Sequence, residues 1–256
     1  MLRVIQENQY VLENFIKRDL KVKYRGTLLG YLWSLLEPLS LVGIYYFLFD
    51  VIARVDEPGY ALIVILGVLP YNLFGAIVQA GAVSLTSNAS LIRRVYIPRE
   101  VFVYAHVGSN LVVFGLSMFA VVPFLFVYEA VPGWRIIFFP IAALLITLFA
   151  TGIAFFVACV NALYRDVGYV IRVTLRLLFY GSPLIYPITR VPEEILGVYL
   201  LNPLSIYISL GRSAVMNEPY AFSDLYMAYG VGIAILTFVG GALYFKKYEK
   251  KAVKFL

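Results

Sequence analysis

The chain is 256 residues long, 62% apolar and only 14% charged, with a mean hydropathy of +0.85. Soluble domains are roughly half apolar and a quarter charged, so a water-soluble enzyme, a disordered chain and a nucleic-acid-binding protein all fit poorly. The formal charge of +6 and pI near 9.2 therefore read as membrane topology, with no nucleic-acid partner expected. No Asp, Glu, Lys or Arg occurs over Gly59–Ile92, Val101–Tyr128 or Ile136–Tyr164, and each run exceeds the ~20 apolar residues that cross about 30 Å of hydrocarbon. The expected fold class is an all-α integral membrane protein.

In chain order, Asn8–Arg25 alternates with a helical period: Val11, Leu12, Phe15, Ile16 and Leu20 gather on one side, Glu13, Lys17, Arg18 and Lys21 elsewhere. Such a helix would lie along the inner membrane surface; a solvated extension is the plainer alternative. Met1–Arg25 is polar and charged, so no cleavable signal peptide is expected. The first span is placed at Leu28–Val51. It holds Glu37, costly inside a bilayer, and Pro38, which invites a kink. Gly26 and Gly30, four apart, permit close helix approach.

The second span is Tyr60–Ser84, reached by a short connection with Asp56, Glu57 and Pro58. The loop from Ser84 to Glu100 carries a short helix that Ser87 or Asn88 could cap, with Leu91, Ile92, Val95, Tyr96, Arg93 and Arg94, and Pro98 ends it. Apolar residues on an exposed inner helix suit docking of another protein. The third span is Val101–Tyr128, with the lone histidine, His106, read as a packed or interfacial helix residue. After Pro132 and Gly133 comes the fourth, Ile136–Leu163, containing the single cysteine, Cys159, which cannot form an intrachain disulfide.

The fifth span is Gly168–Tyr186. Arg172 and Arg176, four apart, share a helix face; they either snorkel to the inner surface or face a hydrated path that accepts an anionic pyrophosphate. The run Ile195–Gly211 is broken by Asn202 and Pro203, so it reads as a re-entrant dip that protein or water must satisfy. The sixth span is Leu225–Phe245. With both ends inside, this arrangement puts 17 of the 21 Lys and Arg on the cytoplasmic side, leaving only Arg54, Arg135, Arg190 and Arg212 outside, as the positive-inside rule requires.

Chemistry is conspicuous by its lack. No Gly-Lys pair exists to start a phosphate loop, no metal site is expected, and the cytoplasmic carboxylates show no Asp-x-Asp arrangement. Aromatics are plentiful instead: 21 Tyr, 19 Phe and 2 Trp. Tyr60, Tyr128, Tyr164 and Tyr244 fall where an interfacial belt is expected. Tyr45, Tyr46, Tyr180 and Tyr186 lie within or at the mouths of spans, either as ordinary packing or as lining of a path whose flat rings suit sugars.

Several short motifs then stand in order: Gly30, Tyr31, Leu32 and Trp33 leading to Pro38; Tyr164, Arg165 and Asp166; Gly181, Ser182 and Pro183 with Tyr186 and Pro187; and Leu201, Asn202, Pro203 and Leu204 followed by Arg212. In these the chain resembles the membrane (permease) subunit of a type-2 ABC exporter of the polysaccharide-exporting branch, most of all the O-antigen (lipopolysaccharide) exporter permeases of the Wzm type; capsule, teichoic-acid and small lipid or drug exporters are similar. The resemblance implies a homodimer of six-span subunits with two copies of a separate ATPase, which carries the ATP and Mg; this chain has no cofactor of its own. It implies export of a polyprenyl-pyrophosphate-linked polysaccharide from cytoplasm to periplasm, in the bacterial cell inner membrane, with both termini cytoplasmic. Residues 1–27 would form the cytoplasmic interface segment, 28–246 the transmembrane domain and 247–256 a basic cytoplasmic tail. The coupling helix would hold Asn88, Leu91, Ile92, Arg93, Arg94 and Tyr96. The first and fifth spans would line the conduit, making Tyr31, Trp33, Glu37, Tyr45, Tyr46, Arg172, Arg176, Tyr180 and Tyr186 its candidates, with Asn202 and Pro203 at an outer gate between Glu193 and Asp224. No catalytic residue is implied. The opposing class is a membrane enzyme acting on lipid-linked sugars.

Overall fold

The computed structural model describes residues 6–52, 54, 59–164 and 166–255, except the side chains of Phe49 and Asp50. Met1, Asp56, Glu57, Pro58 and Arg165, used above, lie outside the described residues. Among the described residues every regular element is helical: α1 (Gln9–Tyr24), α2 (Trp33–Tyr46), α3 (Tyr60–Val83), α4 (Ala89–Arg94), α5 (Glu100–Ser117), α6 (Val122–Val127), α7 (Phe138–Leu163), α8 (Val167–Tyr180), α9 (Glu193–Tyr199), α10 (Pro203–Met216) and α11 (Asp224–Val253).

Four helical runs are each long and apolar enough to cross a membrane: α3, Glu100–Val127 (α5 continuing into α6), Trp134–Leu163 (ending in α7) and α11. The pair α9 and α10 meets that test only jointly, bent by 107°, as the Asn202–Pro203 break suggests. The proposed first and fifth spans are built differently. α2 has 14 residues, preceded by a 3₁₀ turn at Gly30–Leu32 and followed by a π-helical turn at Phe47–Ile52, while Pro38 sits buried inside it. α8 also has 14 residues, about 21 Å at 1.5 Å per residue. It ends at Tyr180, six residues short of the sequence boundary at Tyr186, because proline disfavours helix in the residue before it and Pro183 follows shortly.

The second span is the axis of the bundle. Its most apolar 18-residue window is 89% buried, and α3 packs against α2, α5, α7, α8 and α10. Around it two apolar clusters divide the core. One joins α3 to α7, α10 and α11 through Phe74, Phe155, Tyr207 and Phe245; the other joins α3 to α2 and the α5–α6 junction through Val42, Leu66, Leu69 and Val121. α7 and α11 approach so closely that a Cβ on Gly241 would strike the Gly152 carbonyl. Lipid provides no hydrophobic drive between helices, so close backbone contact through small residues holds such pairs.

α1 uses its apolar side on protein. Phe15 is buried with Val101, Phe102 and Ala105 at the start of α5, and Val11, Leu12 and Ile16 pack on the same cluster. The rings of Phe15 and Phe102 lie 5.2 Å apart, and the lack of a side chain at Gly108 makes room for Ile16. One face of α8 is bare in the single chain, where Tyr169, Val170, Val173, Leu177 and Tyr180 are all exposed.

Candidate functional site

Three helices each turn one polar stripe toward the same space. On α3, Asn72, Gly75, Ala76 and Gln79 recur at helical spacing, which puts them on one face. α2 supplies Trp33, Ser34, Glu37 and Ser40, and α5 supplies Asn110, Val113, Phe114 and Ser117. Together with Lys23, Tyr24 and Thr27 and with Leu175 of α8, they enclose a cavity of about 680 Å³. Ser117 locks two of the walls, its hydroxyl donating to the Ser34 carbonyl at 2.9 Å. The Tyr71 hydroxyl donates to the Leu175 carbonyl and ties α8 to the third wall. Asn110 is spent locally, donating to the His106 carbonyl at 2.8 Å. The Asn72 and Gln79 carboxamides have no hydrogen-bond partner among the described residues. Burial holds the Lys23 ammonium below the ordinary lysine range, and the Glu37 carboxylate partly counters it.

Of the conduit candidates, Trp33 and Glu37 line this cavity. Tyr31 meets Tyr24 beside it at a tilt, centroids 4.6 Å apart. Tyr45 lies 6.3 Å from Phe179, and Tyr46 is partly exposed. Arg172 sits over the Tyr169 ring at 4.5 Å; with Arg176 and Tyr180 it belongs to the bare side of α8. Asn72, Gln79, Asn110 and Ser117 were not singled out from the sequence, although neutral amides seven residues apart within an uncharged span were the available signal.

Tyr186 belongs to a second arrangement, where the chain breaks after α8. The non-helical segment after α8 leaves carbonyls outside any helical ladder, and Arg212 of α10 donates to three of them and to one on α3. Its Nη2 donates to the carbonyls of Pro183 (2.6 Å), Ile63 (3.0 Å) and Leu184 (3.1 Å), and Nη1 to that of Tyr186 (3.1 Å). The Tyr60 hydroxyl donates to the Ile185 carbonyl at 2.9 Å, and the Tyr186 and Tyr199 hydroxyls meet at 2.8 Å. Asn202 caps α10 by accepting from Leu204 N, while its Nδ2 donates to the Gly181 carbonyl and to Ser182 Oγ; Pro203 is the first residue of that helix. Thus Gly181–Pro183, Tyr186–Pro187, Asn202–Pro203 and Arg212, separate motifs in the sequence, form one knot. A 330 Å³ cavity lies beside it, lined by Arg212, Ser209, Thr189 and Glu218 among others.

At the opposite end, α4 sits on α1 and α5. Asn88 precedes it, yet its side chain does not cap it: Nδ2 donates to the Ser84 carbonyl at 2.8 Å, and Oδ1 accepts from Arg18 at 3.0 Å. Arg18 also holds Asp19 at 2.8 Å, and His106 Nδ1 stands 2.9 Å from the other Asp19 oxygen. Burial alone would raise the Asp19 carboxyl, but the bonds from His106 and Arg18 outweigh it and hold that group below the ordinary carboxylate range. Leu91 and Ile92 turn partly inward onto the Phe15 cluster. Arg93, Arg94, Val95 and Tyr96 face out, Tyr96 being 94% exposed. Arg99, just beyond, reaches Glu249 of α11 at 3.6 Å. Among the described residues no three His, Cys, Asp or Glu side chains gather as a metal site.

Residues 11–216 match the sequence pattern of the family described as ABC-2 type transporter. A protein named O-antigen export system permease protein RfbA from Klebsiella pneumoniae is 32% identical over 233 residues, 90% of this chain and 88% of its own. One of the same name from Myxococcus xanthus is 26% identical, covering 98% of this chain and 99% of its own. The polysialic acid transport protein KpsM of Escherichia coli is 24% identical, covering 91% and 92%. The chain belongs to the ABC-2 type transporter family. It is a multi-pass membrane protein and a transport subunit, with ATP hydrolysis on a separate subunit, so the family resemblance read from the motifs is borne out.

Proposed function

We propose that this chain is the permease of an exporter that moves a polyprenyl-pyrophosphate-linked, O-antigen-like polysaccharide from cytoplasm to periplasm across the bacterial inner membrane. The observation that carries this reading is the likeness, along nearly the whole chain, to permeases named for O-antigen export. In this reading two copies pair with two ATPase subunits that bind ATP and Mg. Six spans, including α2 with its flanking turns and α8, place both termini in the cytoplasm, which the Lys and Arg distribution supports. The bare apolar face of α8 supports pairing with a second copy. Residues 1–27 form the interface segment, 28–246 the transmembrane domain and 247–256 the basic tail.

α4 and the residues after it serve as the coupling helix, seated in the ATPase; the outward Arg93, Arg94, Val95 and Tyr96 suit that role. Trp33 and Glu37 line the conduit, and the knot around Asn202 and Arg212 lies at its outer mouth. A capsule-type polymer is the second reading, favoured by the likeness to the polysialic acid transport protein. The test is reconstitution of the chain with its ATPase in vesicles. ATP-dependent movement of lipid-linked O-polysaccharide is expected, and none without the ATPase. Nucleotide breakdown or glycan modification by the permease alone would overturn the reading.

A further inference from the structure

The cavity among α2, α3 and α5 has a composition that a passive wall does not need. Amides inside a membrane helix are costly unless partnered and by default mark a functional site. Here Asn72, half-buried, and Gln79, exposed in the single chain, stand without partners among the described residues, and both line the same cavity as Trp33. A volume of about 680 Å³ falls within the ~300–1,000 Å³ typical of small-molecule sites. Its charges oppose each other: Lys23 of α1 and Glu37 of α2 both line it and interact, so the site offers a bare phosphate no net attraction. A hydrocarbon tail would leave the amides unsatisfied. A carboxamide offers a donor and an acceptor together, matching a sugar hydroxyl, which is also both. A flat indole face suits the C–H face of a pyranose ring.

We propose that this cavity is a saccharide-binding subsite that holds a short stretch of neutral sugar units through Asn72 and Gln79 against Trp33, gripping the polymer inside the permease between ATPase strokes. The assignment rests on the polysaccharide-export reading but adds to it, since a conduit needs only to let the chain slide. The grip must be weak, because the same chain has to move on. Two amides and one ring provide that.

The sequence contains two tryptophans, Trp33 and Trp134, and Trp134 is exposed, away from the cavity. A Trp134→Phe chain has Trp33 as its sole indole; made with 5-hydroxytryptophan and reconstituted with unlabelled ATPase in vesicles, its red-edge emission belongs to Trp33 alone. The probes are O-polysaccharide released from its lipid by mild acid and, separately, inorganic pyrophosphate. A saturable change in Trp33 emission is expected with the polysaccharide and none with pyrophosphate. Asn72→Leu combined with Gln79→Leu should raise the half-saturating concentration roughly tenfold or more; co-elution of the ATPase with the variant checks that it is assembled. Three results would overturn the subsite: no response to the polysaccharide, an equal response in the double variant, or a response to pyrophosphate alone. Export is measured in the same vesicles. Export without a Trp33 response discards the subsite and keeps the transport reading, whereas absent export with a Trp33 response does the reverse.

Discussion

The guanidinium of Arg212 donates to the Leu184 carbonyl at 3.1 Å, joining α10 to the chain break that follows α8. The same side chain serves Ile63, Pro183 and Tyr186, and it is 5% exposed. One cation thereby supplies donors that the non-helical segment after α8 cannot supply to itself. Arg212→Met would leave the Pro183, Leu184 and Tyr186 carbonyls unpaired in an apolar setting. Each buried acceptor left without a partner costs about 1–3 kcal/mol, so a loss on the order of 3 kcal/mol or more is expected, and Arg212→Lys, reaching fewer carbonyls, should lose less. Cys159 is buried and is the single thiol, so its labelling by a thiol dye on heating reports unfolding directly. An unchanged midpoint in Arg212→Met would show that the knot does not depend on this residue.

Glycine substitutions should separate by sign. Gly67 faces the Leu184 carbonyl and the Arg212 guanidinium, and a Cβ there would collide with both; Gly241 meets Gly152 in the same way. At Gly115 nothing lies within 4 Å of an added Cβ. Alanine in a helix interior normally stabilises by roughly 0.5–1 kcal/mol over glycine. Gly115→Ala should therefore raise the labelling midpoint slightly, while Gly67→Ala and Gly241→Ala lower it. A rise at all three positions would contradict the close helix contacts.

The pair Asp19 and His106 makes the seating of α1 on α5 sensitive to acid. The folded-state pKa of Asp19 is depressed, so its contribution is fully present above the unfolded value of about 3.9. It is lost as pH falls through the lower folded value. The midpoint difference between the parent chain and Asp19→Asn should shrink as pH falls from about 5 to below about 4. Comparing the two chains cancels the other carboxyl groups. A gap that widens between pH 5 and pH 3 would mean the carboxylate is not stabilised in place.

How much of this was legible in the sequence follows from what each feature depends on. α3, α7, α11 and the α5–α6 run announce themselves as long uncharged stretches, because hydrocarbon must be crossed by residues of one kind. α8 ends early for a local reason visible only in retrospect: Pro183 disfavours helix just before it. The partner of α1 was not legible, since the meeting of Phe15 with Phe102 joins residues 87 apart in sequence. His106 likewise looked unpartnered because Asp19 is just as distant. Asn72 and Gln79 were hidden by their neutrality, as a search for intramembrane charge passes over amides. Arg212 was visible as a motif residue, but its four carbonyl partners come from two separate segments that only the fold brings together.

The docking region divides into two faces that mutation should tell apart. Leu91 and Ile92 lean on the Phe15 cluster, whereas Val95 and Tyr96 are exposed. Charging the inner pair, Leu91→Asp with Ile92→Asp, forces carboxylates against Phe102 and should lower the unfolding midpoint along with export. Charging the outer pair, Val95→Asp with Tyr96→Asp, touches no core contact. It should leave the midpoint in place and cut polymer exported per ATP hydrolysed several-fold, because only the surface offered to the ATPase has changed. The triple change at Leu91, Ile92 and Tyr96 mixes the two effects, so the outer pair is the cleaner test of coupling. Normal export per ATP in that pair, with the ATPase still bound, would remove Val95 and Tyr96 from any coupling role and shift it to Arg93 and Arg94.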